Sequence, residues 1–216
     1  MPTIHGVNAS PFVRKLRAVF EEKGLPYELN PVMPFAPTDE FLAMSPLGKI
    51  PVYEDAGYVL PDSSCVAQYI ERKHPTPALY PADDEDFGRA LFLEEYADTK
   101  LTEVLTTLFV QRVINKRIMK GESDEAICQE ALAERIPPVF DYLESIVGDG
   151  GGEAIVGSAF SIADIAIGSP FVNFEHAGET VDAKRWPGLA GYVARVHARP
   201  SFSKLIEEER SAFASM

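Results

Sequence analysis

The sequence predicts an α/β domain followed by an all-α domain. Three observations carry this. Up to residue 75, short apolar stretches of strand length alternate with two helical periodicities, in the order strand–helix–strand, then strand–strand–helix (βαβ-ββα). Residues 76–86, TPALYPADDED, are rich in Pro and Asp and read as a linker. From Phe87 onward only helical periodicity remains. The expected domains are therefore 1–78 and 86–216.

Taken in order, residues 2–7 read as a short strand and Asn8-Ala9-Ser10-Pro11 as a turn. Ser10 is a good N-cap, and Pro11 suits the first helical position. The helix that follows runs from Phe12 to about Lys23, with Val13, Leu16 and Phe20 on one face and Gly24 as its stop. Arg14, Lys15 and Arg17 read as a solvated face of this helix. A second strand spans residues 26–32, and Glu40 to Met44 is a helical turn. Two further strands lie near Val52–Glu54 and Tyr58–Leu60. A helix from Asp62 ends at His74-Pro75. In the second domain, Phe87 to about Ile118 is one long helix or two. Asp124 to Ile146 is another, with a break expected at Pro137-Pro138. Gly148 to Gly152 is a glycine loop. Ser161-Ile162-Ala163-Asp164 has the spacing of a capping box, opening a buried helix to about Ser169. Leu189 to His197 is expected to be the final helix.

Composition narrows the function. The 216 residues are 46% hydrophobic, enough to bury a full core. The net charge of −13 falls mostly on the second part: residues 1–80 hold seven basic and nine acidic side chains, the remainder 13 and 24. Such an acidic chain argues against nucleic acid and anionic membranes as partners. There is no apolar run of spanning length and no basic-then-apolar leader pattern at the start, so neither a membrane span nor a secretory signal is expected. Cys65 and Cys128 form no metal or disulfide framework and read as packing residues. His5, His74 and His176 have no metal-ligand spacing. No metal is expected, and a reducing cytoplasm suits this cysteine usage.

One stretch has more chemistry than packing requires: SPLGKIPVYEDAGYVLPDSS, Ser45 to Ser64. Pro51 stands at a strand entry, where it has no N–H to give. A cis Ile50-Pro51 bond would turn the Ile50 N–H and C=O outward. A main-chain pair of that kind binds an extended peptide as an added strand. Asp62-Ser63 opens a helix, whose free N–H groups and positive dipole end suit a carboxylate.

Four blocks together resemble the cytosolic glutathione S-transferase family, in particular its bacterial-type, serine-dependent members. SPFVRK (Ser10 to Lys15) resembles the start of the first helix, with the activating hydroxyl at its tip. SPLGKIPV (Ser45 to Val52) resembles the loop and cis-proline strand that grip glutathione. PDSSCVAQYI (Pro61 to Ile70) resembles the acidic-Ser pair that holds the γ-glutamyl end, and FSIADIA (Phe160 to Ala166) the capping box of the buried helix. The resemblance implies a thioredoxin-like first domain and a helical second domain that carries the electrophile pocket.

It also implies roles. The glutathione thiol, with a reference pKa near ~8.5, reacts as its thiolate. Lowering that pKa by roughly two units takes about 2.7 kcal/mol of differential stabilisation, within reach of a hydroxyl donor and a helix N-terminus. Ser10 is the candidate catalytic donor and Asn8 the alternative. Ile50 would pair its main chain with the cysteinyl unit, and Lys49 would meet the glycyl carboxylate. Ser63 would bind the γ-glutamyl carboxylate and Asp62 the ammonium group; Pro51 (cis) and Asp164 would be structural. Two features depart from the family pattern. Asp62 stands where Glu is more frequent, and Met33 to Asp39 lacks the basic residue that many relatives use for the glycyl end. The implied function is conjugation of glutathione, as co-substrate, to small hydrophobic electrophiles, a detoxification chemistry carried out by a cytoplasmic homodimer. Isomerisation, peroxide reduction, dehalogenation or ether cleavage would use the same thiolate. A retained fold without turnover would be a binding module.

Overall fold

A computed structural model describes residues 1–33, 35, 37–148 and 153–214. The chain divides into two compact units, Met1–Tyr80 and Pro81 onward. The first is a thioredoxin-like α/β unit and the second is all helix.

The first unit contains β1 (Thr3–His5), α1 (Pro11–Glu22), β2 (Glu28–Asn30), α2 (Asp39–Met44), β3 (Val52–Asp55), β4 (Tyr58–Pro61) and α3 (Ser63–Lys73). The sheet order is β2-β1-β3-β4. β1 runs parallel to β2 and antiparallel to β3, and β4 returns antiparallel to β3. Ile4 and Tyr53 are cross-strand neighbours, both fully buried. The Tyr53 ring reaches Phe20 of α1 and Tyr69 of α3, at centroid distances of 6.1 and 5.8 Å. Leu16, Val19, Phe20, Val66 and Ile70 complete this core. Residues at i, i+3 and i+4 on each helix thus close over alternating strand residues, as the two periodicities require.

In the second unit, helical backbone runs without interruption from Asp84 to Ile118. It comprises α4 (Asp84–Tyr96), a π-helical segment Ala97–Leu101, α5 (Thr102–Phe109) and a second π segment Val110–Ile118. The wider winding shows in five-residue hydrogen bonds such as Thr102 N–H to Ala97 C=O and Met119 N–H to Ile114 C=O. α6 (Glu125–Glu130) passes through a third π segment, Ala131–Arg135, into α7 (Ile136–Val147). The expected break is absent: helical backbone continues through the prolines, and the winding changes just before them, which leaves Pro137 and Pro138 in the first turn of α7. α8 (Ile162–His176) is buried on every side from Ile162 to Phe174 and packs on α4, α5 and α9 (Pro187–Ala198). α10 (Pro200–Ala214) closes the unit.

Several readings need correction. The expected linker runs three residues into α4. Asp83 caps that helix by accepting from the N–H groups of Glu85 and Asp86, and Asp84, Glu85 and Asp86 sit favourably at its positive end. α8 does not stop at Ser169 but continues through Pro170; packing on all faces outweighs the roughly 3 kcal/mol interior cost of proline. The helix ending near His197 is not the last. α10 buries Phe202, Leu205, Ile206 and Glu209, an i, i+3, i+4, i+7 stripe. Of the glycine loop, Gly148 is described, with φ 68°; positions 149–152 lie outside the described residues.

Asp164, fully buried, ties α8 to its surroundings. Its Oδ2 accepts from the Ser161 N–H (2.8 Å) and hydroxyl (3.2 Å). Its Oδ1 accepts from the Ile155 N–H and the Tyr192 hydroxyl of α9, both at 2.8 Å. Burial pushes the carboxyl above the usual range, and these donors pull against that shift. Asp164→Ala would leave buried donors unpaired and remove the cap. The expected loss is about 3 kcal/mol, read as a lowered urea midpoint at unchanged m-value.

Candidate functional site

Strand register brings three chain segments to one end of the sheet. His5 faces Val52, and Val52 faces Pro61. The residues leaving β1, entering β3 and leaving β4 therefore emerge side by side. The Val7–Ser10 turn, the Lys49-Ile50-Pro51 loop and the Asp62-Ser63 helix start all gather there. Gly6 marks how close they come. A Cβ built on it would stand 2.5 Å from Val13 Cγ2 and 3.3 Å from Ile50 Cβ. Its φ of 156° adds to the case for glycine.

Ser10 is the N-cap of α1; its N–H donates to Val7 C=O (3.1 Å) and closes the turn. Its Oγ accepts from the Val13 N–H across a long 3.4 Å, which leaves the hydroxyl hydrogen available as a donor. α1 has no acidic residue in its first turn to oppose an anion there.

The Ile50–Pro51 peptide is cis. Ile50 is buried, and neither its N–H nor its C=O has a hydrogen-bond partner among the described residues. The loop before it is held by Ser45, whose buried hydroxyl donates to Lys49 C=O (2.8 Å) and accepts from Lys49 N–H (3.1 Å). The Lys49 side chain is exposed and forms no ion pair among the described residues.

Asp62 caps α3 from a left-handed backbone, φ 77° and ψ 126°. Its Oδ1 accepts from the N–H groups of Ser64 and Cys65, each at 3.0 Å. Half of the carboxylate therefore serves the helix, and only Oδ2 remains for a ligand. Ser63 is buried, and its N–H and hydroxyl make no hydrogen bond among the described residues. Of the segment Met33 to Asp39, positions 34 and 36 lie outside the described residues; Thr38 caps α2 by accepting from the Phe41 N–H.

The cations of α1 overturn their reading as a solvated face. Arg14, Lys15 and Arg17 are only 0, 1 and 5% exposed. Lys15 Nζ donates to Ser64 Oγ at the start of α3 (2.9 Å). Arg17 Nη1 donates to Asn8 Oδ1 (3.1 Å), and its Nε to the Tyr27 hydroxyl (2.9 Å). Lys23 is also buried, against Glu71 (2.7 Å) and the carbonyls of His74 and Pro77. Cys65 is exposed rather than packed, while Cys128 is buried. His5 and His176 pair with Glu54 and Glu209, each at 2.9 Å. Among the described residues no group of three or more His, Cys, Asp or Glu could hold a metal ion, and no helix is long and apolar enough to cross a membrane.

The site thus offers one main-chain pair, two helix N-termini and a hydroxyl within one unit. Main-chain pairing and helix N-termini of this kind suit an extended, anionic peptide. Residues 4–78 match the family "Glutathione S-transferase, N-terminal domain" and residues 109–209 "Glutathione S-transferase, C-terminal domain". The chain is 30% identical over 204 residues to the uncharacterised GST-like protein YibF of Escherichia coli, covering 92% of this chain and 95% of that one. It is 27% identical over 212 residues to a glutathione S-transferase of Hyoscyamus muticus, covering 94% and 97%. Among solved structures, a glutathione S-transferase of Rhodospirillum rubrum superposes with a TM-score of 0.84 at 25% identity, covering 95% and 91%. One of Methylobacterium radiotolerans, in complex with glutathione sulfonate, superposes with 0.75 at 29% identity, covering 95% and 94%.

The Asp62 backbone makes a separable statement about stability. An L-residue at φ 77° carries about 1–3 kcal/mol of strain. Asp62→Gly removes that strain and loses only a few tenths of the capping energy, whereas Asp62→Ala keeps the strain and loses the cap. In chemical denaturation the glycine variant is expected to be more stable than the alanine variant by at least about 1 kcal/mol. The reverse order would remove the strain argument.

Proposed function

The chain belongs to the glutathione S-transferase family, and we propose that it activates the thiol of glutathione for attack on small apolar electrophiles. The observation that carries this reading is the Ile50 main chain and the Ser63 N–H and hydroxyl, all without internal partners, at the sheet end where Ser10 tips α1.

In this reading glutathione lies extended along the cis-proline loop. Its cysteinyl N–H and C=O pair with Ile50, as an added strand would. Its γ-glutamyl carboxylate takes the Ser63 N–H and hydroxyl at the positive end of α3. Asp62 Oδ2 meets the ammonium group, and Lys49 meets the glycyl carboxylate as a point charge. The sulfur then faces the Ser10 hydroxyl. That hydroxyl donates to the thiolate and favours the ionised form, so the thiol loses its proton to solvent at neutral pH. The thiolate's lone pair forms the new carbon–sulfur bond at the electrophile, whose leaving group or opened π-bond takes the displaced electron pair. Electrophile choice is assigned to the helical domain, 86–216. Assembly as a homodimer, a cytoplasmic location and a role in detoxification complete the proposal, and the serine-dependent subgroup is its finer form.

Retention on immobilised glutathione, followed by an ultraviolet titration of the bound thiolate, tests it. We expect retention, and a bound thiol pKa well below ~8.5. Ser10→Ala should raise that pKa by about one unit and lower kcat/KM about tenfold at neutral pH, with affinity for S-methylglutathione unchanged. No retention would favour a non-catalytic module. An unchanged thiol pKa in Ser10→Ala would take the donor role away from Ser10.

A further inference from the structure

We propose that Asn8 is a second donor to the glutathione thiolate, and that Arg17 is the positioning residue that aims it. This rests on the glutathione reading of the site and deepens it.

Arg17 is 5% exposed, so its guanidinium needs acceptors close by. Asn8 and Tyr27 supply two of them. Nη1 donates to Asn8 Oδ1 (3.1 Å), and Nε donates to the Tyr27 hydroxyl (2.9 Å). Tyr27 is itself fixed: its hydroxyl donates to Glu21 Oε1 (3.2 Å), and its ring packs edge-on against Phe20, at a centroid distance of 5.4 Å. Burial pushes the Tyr27 phenol up to about 12, so it stays a neutral donor at any working pH. The guanidinium also lies 5.6 Å from the centre of the Tyr27 ring. The fork is thus held from behind by a side chain with no freedom to follow it.

What the fork does to Asn8 follows from the chemistry of an amide. A carboxamide has one acceptor end and one donor end. With Oδ1 on the guanidinium, the flipped orientation would set the NH2 group against the buried cation, donor against donor. The amide therefore has one permitted orientation, with its two N–H bonds directed away from Arg17. Among the described residues they meet no acceptor. No backbone N–H donates to Asn8 Oδ1 among the described residues, so the side chain makes no cap or Asx-turn. Asn8 precedes the N-cap Ser10 by two residues, in the turn closed by Ser10 N–H to Val7 C=O. That turn carries Asn8 and Ser10 together to the start of α1, and we assign the free donor end to the sulfur that the Ser10 hydroxyl serves. Pairing with a cation draws electron density from the amide oxygen and strengthens the N–H donors. A thiolate sulfur accepts more than one hydrogen bond, so hydroxyl and amide act together rather than as alternatives.

The test is a double-mutant cycle read on the bound thiol. Asn8→Ala is expected to raise the bound thiol pKa by about one unit and to leave affinity for S-methylglutathione, which has no ionisable thiol, within about twofold. Arg17→Lys keeps the charge but has no fork to hold the amide and Tyr27 together, and should produce most of the same shift. In the Asn8→Ala/Arg17→Lys pair the two shifts should not add, because Arg17 acts through Asn8. An unchanged thiol pKa in Asn8→Ala, or in Asn8→Asp, which keeps an acceptor for Arg17 and has no N–H to give, overturns the donor role. A shift from Arg17→Lys of the same size in the presence and absence of the Asn8 amide overturns the positioning role. Wild-type protein that does not bind glutathione, or binds it with an ordinary thiol pKa, removes the functional reading itself and this inference with it.

Discussion

Strand β3 is paired on both edges, and that double pairing places everything else. With β1 on one side and β4 on the other, both antiparallel to it, the entry to β3 lies beside the exits of its neighbours. One entry and two exits bring three loops to a single end of a four-stranded sheet. Two of those loops lead into helices, so two helix N-termini point into the same space. No single residue produces this convergence; it is a property of register. A slip by one residue would exchange the faces of β3, expose Tyr53 and part the loops at once. Gly6 is the local condition for the arrangement, since any side chain there would push α1 away from the cis-proline loop.

The buried cations belong to the same construction. Lys15 reaches the first turn of α3, and Lys23 reaches Glu71 and the chain just past the end of α3. α1 is therefore fastened to α3 near both of its ends. Buried charges of this kind add little net stability compared with apolar packing, but losing a partner is costly, and that asymmetry favours one arrangement over its neighbours. The relative placement of the two N-termini depends on it. A site that must present a hydroxyl, an amide and two peptide N–H groups to one small ligand gains more from this than from a softer apolar seam.

Each candidate residue of the site belongs to a local pattern that a sequence shows and the structure contains: a cap followed by Pro11, a strand entry at Pro51, an Asp-Ser helix start. The fold order was readable for the same reason. Features that depend on distant contacts were not. Arg14, Lys15 and Arg17 look like a charged helix surface because sequence shows charge and not the Tyr27, Asn8 and Ser64 partners that bury it. Pro170 looks like a helix stop because the packing around α8 is invisible in one dimension. α10 was missed for a different reason. Its stripe of Phe202, Leu205 and Ile206 is there, but Arg199-Pro200 reads as an ending, whereas proline there is the first residue of the next helix.

Asp62 shows how local economy and function meet in one residue. Its carboxylate completes the helix it precedes, with one oxygen on two N–H groups. Its backbone is held in a conformation that an L-residue adopts only when its surroundings insist. A longer Glu could reach outward past the helix end; Asp, one methylene shorter, folds back onto it. In the proposed reading, Asp here commits one oxygen to the helix and leaves the other for the ligand. In the proposed reading Ser63 is the firmer anchor, since its N–H and hydroxyl have no competing partner among the described residues. The opposite end of the site is the contrary case. Ser45 fixes the Lys49 peptide, but the Lys49 ammonium extends into solvent, where salt screens it. A tripeptide bound here would be held stiffly by its γ-glutamyl end and its central main chain, and loosely at its glycyl end. Stiffness is needed where the sulfur must meet its donors, and of those two contacts one lies on the cysteinyl unit and the other next to it.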